Sequence, residues 1–322
     1  MRLFSVRGIP VRIDLGWLFI VAFIAWSLAS GYFPHVLPSR SAAAYWAEGL
    51  VASLLLFASV LLHELAHALV AIGHGVSVGG ITLHIFGGVS QLDSEPQTPR
   101  AELLIALVGP LTSFAIAGIS HGADILLTGP SWADALAGYL AAVNIVVGVF
   151  NLLPAFPLDG GRVLRAALWV WTGEPDRATR LASRVGSLIA ILMVVMGVGR
   201  AVSGEVVGGV WFALIGLFLH QAARTSYAVV RIRARLSALP AAQLMNTAPL
   251  VLERFRDVSG GDDGVVSPRD SAWIAFAKIA RNGRGRVLVV DDGVPVGVIT
   301  QKDLHDVVTA ADRETHVARR AA

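Results

Sequence analysis

Ala47-Glu-Gly-Leu-Val-Ala-Ser-Leu-Leu-Leu-Phe-Ala-Ser-Val-Leu-Leu-His63-Glu64-Leu65-Ala66-His67-Ala-Leu-Val-Ala-Ile72 is the stretch on which the reading of this chain turns. It is long enough to cross a bilayer, which takes about 20 apolar residues as a helix. Near its C-terminal end it carries two histidines and a glutamate. Histidines four residues apart project from one helical face and can hold a single zinc ion. Glu64 adjoins that face, placed to take a proton from an attacking water. Ionisable groups inside an apolar span are costly, so their presence points to function.

The rest of the chain agrees with a membrane setting. Of its 322 residues 55% are hydrophobic and only 15% charged, and the mean hydropathy is positive. A soluble domain of this length carries about 25% charged residues. The net charge is +3 at a pI near 9.7, so the basic residues matter by position and no nucleic-acid partner is implied. Without cysteine, disulfides, thiolate zinc sites and thiol catalysis are excluded, and a metal must use histidine and carboxylate ligands. The run Ile13 to Ala29 is bulky, bears Trp17 and Trp26, and leads into Gly31-Tyr-Phe-Pro without a small-residue cleavage site, so it reads as a span and not as a signal peptide.

Six stretches qualify as spans, at about 13–30, 47–72, 101–120, 133–153, 181–201 and 206–229. Between the second and third, Val76 to Leu92 is rich in β-branched residues and in glycine pairs, Gly79-Gly80 and Gly87-Gly88. It reads as a re-entrant β-hairpin, which must be buried on protein or line a water-filled cavity because lipid tolerates no open strand edge. Arg2, Arg7, Arg12, Arg100, the group Arg162, Arg165, Arg177, Arg180 and Arg184, and Arg224 to Arg235 all fall on one side. The positive-inside rule then puts both termini in the cytoplasm, of a prokaryotic cell membrane in this reading.

A catalytic zinc needs a third protein ligand and an open position. Asp159 is the candidate, in Asn151-Leu-Leu-Pro-Ala-Phe-Pro-Leu-Asp159-Gly-Gly-Arg162 at the end of the fourth span. Pro154 and Pro157 break the helix there, and Gly160-Gly161 would let the backbone turn so that Asp159 swings toward the histidines. The alternative is a polar turn that merely ends a membrane helix.

These two motifs together resemble the site-2 protease family of intramembrane metalloproteases, over about the first 230 residues and including Gly109-Pro110 in the third span. The resemblance implies zinc ligation by His63, His67 and Asp159, water activation by Glu64, and assistance near the scissile carbonyl by Asn151. A side-chain amide can donate to a developing oxyanion, although Asn151 also suits a helix-ending hydrogen-bonder before Pro154. It further implies transmembrane or membrane-associated protein substrates, often with release of a transcription regulator. No PDZ insertion of the kind many members have is visible.

After Arg235 the composition turns mixed and charged. A helix over 271–280, strands over 286–291 and 295–300, and a helix over 302–310 form one small β-α-β-β-α unit, and Asp262-Asp263-Gly264 reads as a loop before it. It resembles a single cystathionine-β-synthase (CBS) motif through Val265-Val-Ser-Pro-Arg-Asp and Gly297-Val-Ile-Thr300-Gln-Lys-Asp303. That resemblance turns Thr300 and Asp303 toward an adenosine nucleotide such as ATP; the alternative is a strand-ending threonine and a helix-capping aspartate. A lone copy implies a homodimer through this domain, a degenerate partner between Asn246 and Asp257, or a structural tail.

The fold class expected is therefore an all-α polytopic membrane core with a small re-entrant β-hairpin (1–235), a linker (236–245) and a small α/β CBS-like cytoplasmic domain (246–322). His84 lies in the hairpin, near substrate; His35, His74, His121 and His220 sit near span ends and carry no assigned chemistry. Two rival functions remain. A metal-ion transporter would show repeated halves and a polar path, whereas this chain has one clustered site. A non-catalytic nucleotide-sensing adaptor would have no need of Glu64.

Overall fold

The structure is a computed structural model, and it describes residues 2–84, 87–92, 95–127, 131–247 and 264–307. The chain begins as a strand pair. Ile9, Val11 and Ile13 alternate with Pro10 and Arg12, and the three apolar side chains are buried, the period-two signature of a half-buried strand. β1 (Arg2–Val6) and β2 (Ile9–Ile13) are antiparallel across Arg7-Gly8, both with positive φ. β2 then pairs in parallel with β3 (Val78–His84), Val11 opposite Ile81, and β3 pairs antiparallel with β4 (Gly87–Leu92). The sheet order is β1-β2-β3-β4.

The hairpin expected over residues 76–92 is thus present, but it is half of a four-stranded sheet, and the core is not otherwise all-helical. Residues 2–13, which the sequence presents as the basic approach to the first span, supply the other half. An isolated two-stranded hairpin is marginal and leaves two open edges; β2 covers one of them.

Six helices are long and apolar enough to cross a membrane: Leu15–Val36, Ala42–Gly73, Pro99–Leu126, Trp132–Asn151, Pro175–Val202 and Val206–Ser226. They coincide with the six expected spans. The first comprises α1 (Leu15–Ser27), a π turn (Leu28–Tyr32) and α2 (Phe33–Val36). α3 (Ala42–Gly73), α4 (Pro99–Leu126), α5 (Trp132–Asn151), α7 (Pro175–Val202) and α8 (Val206–Ser237) follow. Side-chain oxygens of Asp14, Ser41, Thr98 and Ser131 accept from the first-turn amides and set where α1, α3, α4 and α5 begin. Phe57 apart, the residues α3 buries are small or polar, Glu48, Gly49, Ala52, Ser53, Ser59, His63, His67, Ala68 and Ala71, while Leu50, Leu54, Leu55 and Leu62 stand outside. Small and polar residues inside with leucine outside is the pattern of a helix packed among others in lipid.

Asp159–Thr172 forms an additional amphipathic helix, α6, that the spans do not include. Gly173, in the left-handed region, ends it. Gly160 and Gly161 do not turn the backbone as expected; they lie in the first turn of α6. A Cβ on Gly160 would meet the Leu152 carbonyl at 2.2 Å, and one on Gly161 would meet the Ala155 backbone at 2.7 Å. Both glycines let the helix start flush against the preceding loop.

The chain divides into two compact units, Met1–Ser226 and Tyr227–Ala322. In the second, β5 (Val265–Val266) is parallel to β6 (Arg286–Asp291), which is antiparallel to β7 (Val294–Thr300); α9 (Ala272–Asn282) lies between β5 and β6 in sequence, and a last helix occupies 301–307. Val266, Ala275, Ile279, Val287, Val289 and Ile299 form its core together with Leu236, Ala241 and Leu244. This is the expected β-α-β-β-α order. The loop at Asp262-Asp263, residues 308–310 of the last helix, and all but Asn246 and Thr247 of the degenerate copy proposed for Asn246 to Asp257 lie outside the described residues.

Candidate metal centre

α3 presents His63 and His67 side by side, both buried, with their Nε2 atoms 3.1 Å apart. Asp159, the first residue of α6, brings Oδ2 to 3.2 Å from each. These three donor atoms form the one group of metal-ligating type found among the described residues. The opposite ring nitrogens are held in place: Nδ1 of His67 donates to the Ile105 carbonyl at 2.6 Å, and Nδ1 of His63 lies 2.9 Å from Ser113 Oγ. A ring that donates through Nδ1 offers its Nε2 lone pair. Two such nitrogens and a carboxylate oxygen at van der Waals separation repel unless a cation is shared between them.

The residues fit zinc. Ligands at about 2.0–2.1 Å on a tetrahedron stand about 3.3 Å from one another, close to the 3.1 and 3.2 Å found. Gly109 of α4 closes the other side. A Cβ there would fall 2.2 Å from His67 Nε2 and 2.5 Å from His63 Nε2, so only glycine leaves room where the donors converge.

Glu64 opens onto the same cavity, of about 570 Å³, as His63, His67, Asn151, Asp159 and Arg162. β4 holds it in place. Ser90 Oγ lies 2.7 Å from Glu64 Oε2 and 3.1 Å from its carbonyl, and Gly88 has no room for a Cβ, which would meet Glu64 Cγ at 2.4 Å. Asn151, the last residue of α5, donates through Nδ2 to the Val147 carbonyl at 3.0 Å while lining the cavity. It therefore serves as the hydrogen-bonder at the helix end and contributes to the cavity wall.

Sequence reasoning missed Ser90, Ser113, Gly109 as a close-packing position, and the ion pair behind α6. Arg165 Nε donates to Glu102 Oε1 at 2.7 Å, and Glu102 is completely buried. An acidic residue in the first turn of an apolar span and an arginine two turns into α6 were the available signals. His84 pairs with Gly87 at the hairpin end and is not among the described residues that line the cavity. His74 bonds the Val70 carbonyl, His220 bonds Ser187 and His121 faces Asp124.

In the second unit Thr300 and Asp303 bind each other. Thr300 N and Oγ1 lie 2.8 and 2.7 Å from Asp303 Oδ2, and Asp303 N lies 3.3 Å from Thr300 Oγ1. This is a reciprocal capping box at the start of the last helix, the structural alternative for this pair. A groove lined by Ile232, Phe276, Gln301, Lys302, Leu304 and His305 adjoins it.

The chain is similar to known proteins. The sequence pattern of peptidase family M50 matches residues 51–138 and 127–193, and that of the CBS domain matches residues 241–310. The chain is 39% identical over 247 residues to the Mycobacterium tuberculosis protein Rip3, a match covering 76% of this chain and 63% of that protein. It therefore spans less than two thirds of that relative's length. Identity to the Synechocystis protein sll0528 is 31% over 313 residues, 96% of this chain and 78% of the relative. Identity to zinc metalloprotease MJ0392 of Methanocaldococcus jannaschii is 32% over 256 residues, 78% and 67%. The solved site-2 protease from Methanocaldococcus jannaschii is 31% identical, with 70% of this chain and 94% of that chain covered at a TM-score of 0.49.

Proposed function

This chain belongs to peptidase family M50, and from that premise we propose that it is an intramembrane zinc endopeptidase. The observation that carries the proposal is the convergence of His63, His67 and Asp159 on one point with Glu64 in the same cavity. Zinc bound by these three residues would polarise the scissile carbonyl and acidify the attacking water. Glu64, oriented by Ser90, takes up the water proton and passes it to the leaving amine. Asn151 turns its amide toward the oxyanion.

The peptide bonds of an intact helix are shielded, so substrate must unwind to react. Among the described residues β4 is the terminal strand of its sheet, which supports a second element of the proposal: the unwound substrate adds to its edge. The hairpin then lies within the membrane as a re-entrant element, both termini are cytoplasmic, and the substrates are single-span proteins of the signalling or transcription-regulator class. The CBS-like unit would associate two copies and bind an adenosine nucleotide in the groove beside Lys302.

Zinc analysis together with cleavage of single-span substrates by the wild type and Glu64→Gln tests the reading. The variant is expected to keep its zinc and to lose activity by about 10²- to 10⁴-fold, the usual contribution of a general base. Undiminished cleavage by Glu64→Gln would overturn the mechanism, and ion flux in place of cleavage would favour transport. Proline at Val89, if the folded protein still cleaves normally, would remove the edge-pairing element.

A further inference from the structure

α6 carries two arginines one turn apart, on the face that begins with Asp159, and the structure treats them differently. Arg165 is buried and fully engaged: Nε donates to Glu102 Oε1 at 2.7 Å, Nη1 reaches Thr179 Oγ1 at 3.5 Å, and Nη2 stands 3.6 Å from Glu95 Oε2. Arg162 has its Nε 3.9 Å from the same Glu102 oxygen, an ion-pair distance beyond hydrogen-bond reach, while Arg165 Nε stands at 2.7 Å from it. Among the described residues it has no hydrogen-bond acceptor. Its side chain is 23% exposed and lines the cavity that Glu64 and Asp159 share, where it is the one lysine or arginine among the described residues.

A guanidinium presents five donors in a fixed plane, and much of this cavity wall is apolar: Val60, Val146, Phe150 and Leu158 contribute to it. The ligand that arrives there is an unwound membrane segment. Its side chains are mostly apolar, and the polar atoms it cannot shed are its backbone carbonyl oxygens, which unwinding deprives of their helical partners. Each carbonyl left unmatched in such surroundings is costly. Donor and acceptor therefore meet the same need.

Building on the protease reading, we propose that Arg162 is a substrate-binding residue that donates to a backbone carbonyl oxygen of the unwound substrate close to the scissile bond. Arg165 takes the short contact with Glu102 Oε1, and Arg162 makes none of hydrogen-bond length there. Recognition of this kind does not depend on the substrate's side chains.

The test uses the full-length, zinc-loaded protein carrying Glu64→Gln, so that bound substrate stays intact. A fluorescent single-span peptide, whose cleavage site is first mapped with the wild type, is measured for binding alongside analogues. In each analogue one peptide bond near that site is replaced by an alkene lacking the carbonyl oxygen. With Arg162 present, one replacement is expected to weaken binding by about 10- to 100-fold, the range of a charge-assisted hydrogen bond. With Arg162→Gln the parent peptide weakens by a similar factor and that replacement has no further effect, while zinc content is unchanged. Arg162→Lys recovers part of the affinity. The inference is overturned if both variants bind the parent as Arg162 does, if every replacement acts independently of residue 162, or if the variants weaken binding only by losing zinc. Failure of the wild type to cleave any peptide would instead remove the protease reading itself.

Discussion

Gly109→Ala tests the geometry of the metal centre with a single methyl group. The added carbon would lie 2.2 Å from His67 Nε2 and 2.5 Å from His63 Nε2, where ordinary contact begins near 3.4 Å. Restoring contact takes about 1.2 Å of separation, 3.4 less 2.2. Either α3 and α4 part by that amount or the imidazoles swing away, and swinging them breaks the bond from His67 Nδ1 to Ile105. Disturbing an outer-shell bond of this kind weakens metal binding by about 10- to 100-fold, and displacing a ligand weakens it further, so a loss of at least about 100-fold in zinc affinity is expected. Helix propensity acts the other way, since alanine gains up to about 1 kcal/mol over glycine in a helix. A loss of zinc therefore cannot be ascribed to a weaker α4. Gly118→Ala, on the same helix with nothing within 4 Å of its added carbon, is the control and should bind zinc as the wild type does. Competition against a chromophoric chelator at graded free zinc measures both. Wild-type affinity in Gly109→Ala would refute the placement of α4 against the histidine pair.

Further substitutions probe the supports of the site. Ser90→Ala removes the hydrogen bond to Glu64 Oε2 and should lower kcat by about tenfold with KM nearly unchanged; an equal fall in zinc content would point to a structural effect instead. Glu102→Gln leaves the buried Arg165 with only the more exposed Glu95 as counter-ion, a change that costs up to about 3–5 kcal/mol, whereas Glu102→Gln with Arg165→Met removes both members of the close pair. Thermal denaturation should accordingly rank the double variant above the Glu102→Gln single, and the reverse order would contradict the pairing in α4 and α6. Thr300→Ala deletes one arm of the capping box and should cost about 1 kcal/mol, seen as roughly fivefold faster amide exchange over residues 301–307.

The parts of this architecture that were legible in the sequence share one property: their signal is local. Six apolar runs, two histidines four apart and the Asn151 to Arg162 motif each declare themselves within a few turns of chain. α6 did not, because its 14 residues are too few and too amphipathic to read as a span, and its glycines suggested a turn. β1 and β2 were hidden by their arginines, which direct attention to membrane sidedness, although Ile9, Val11 and Ile13 alternate as a strand should. The role of Gly109 depends on which side chains of α3 lie opposite it, and no glycine in an apolar helix announces that. The same holds for Ser90, whose partner stands 26 residues earlier.

The parallel pairing of β2 with β3 has a consequence for biosynthesis. Val11 finds Ile81 only after two apolar helices have been made between them, so the N-terminal strands leave the ribosome long before the strand that completes them. Parallel contacts over such separations form late. Through Asp14, whose backbone amide donates to Leu83 at 3.0 Å, the same late event ties the start of α1 to the sheet that holds Glu64. Maturation of the base is thereby tied to insertion of the second span, and a chain arrested before residue 78 carries both histidines but no Ser90 to orient the glutamate between them.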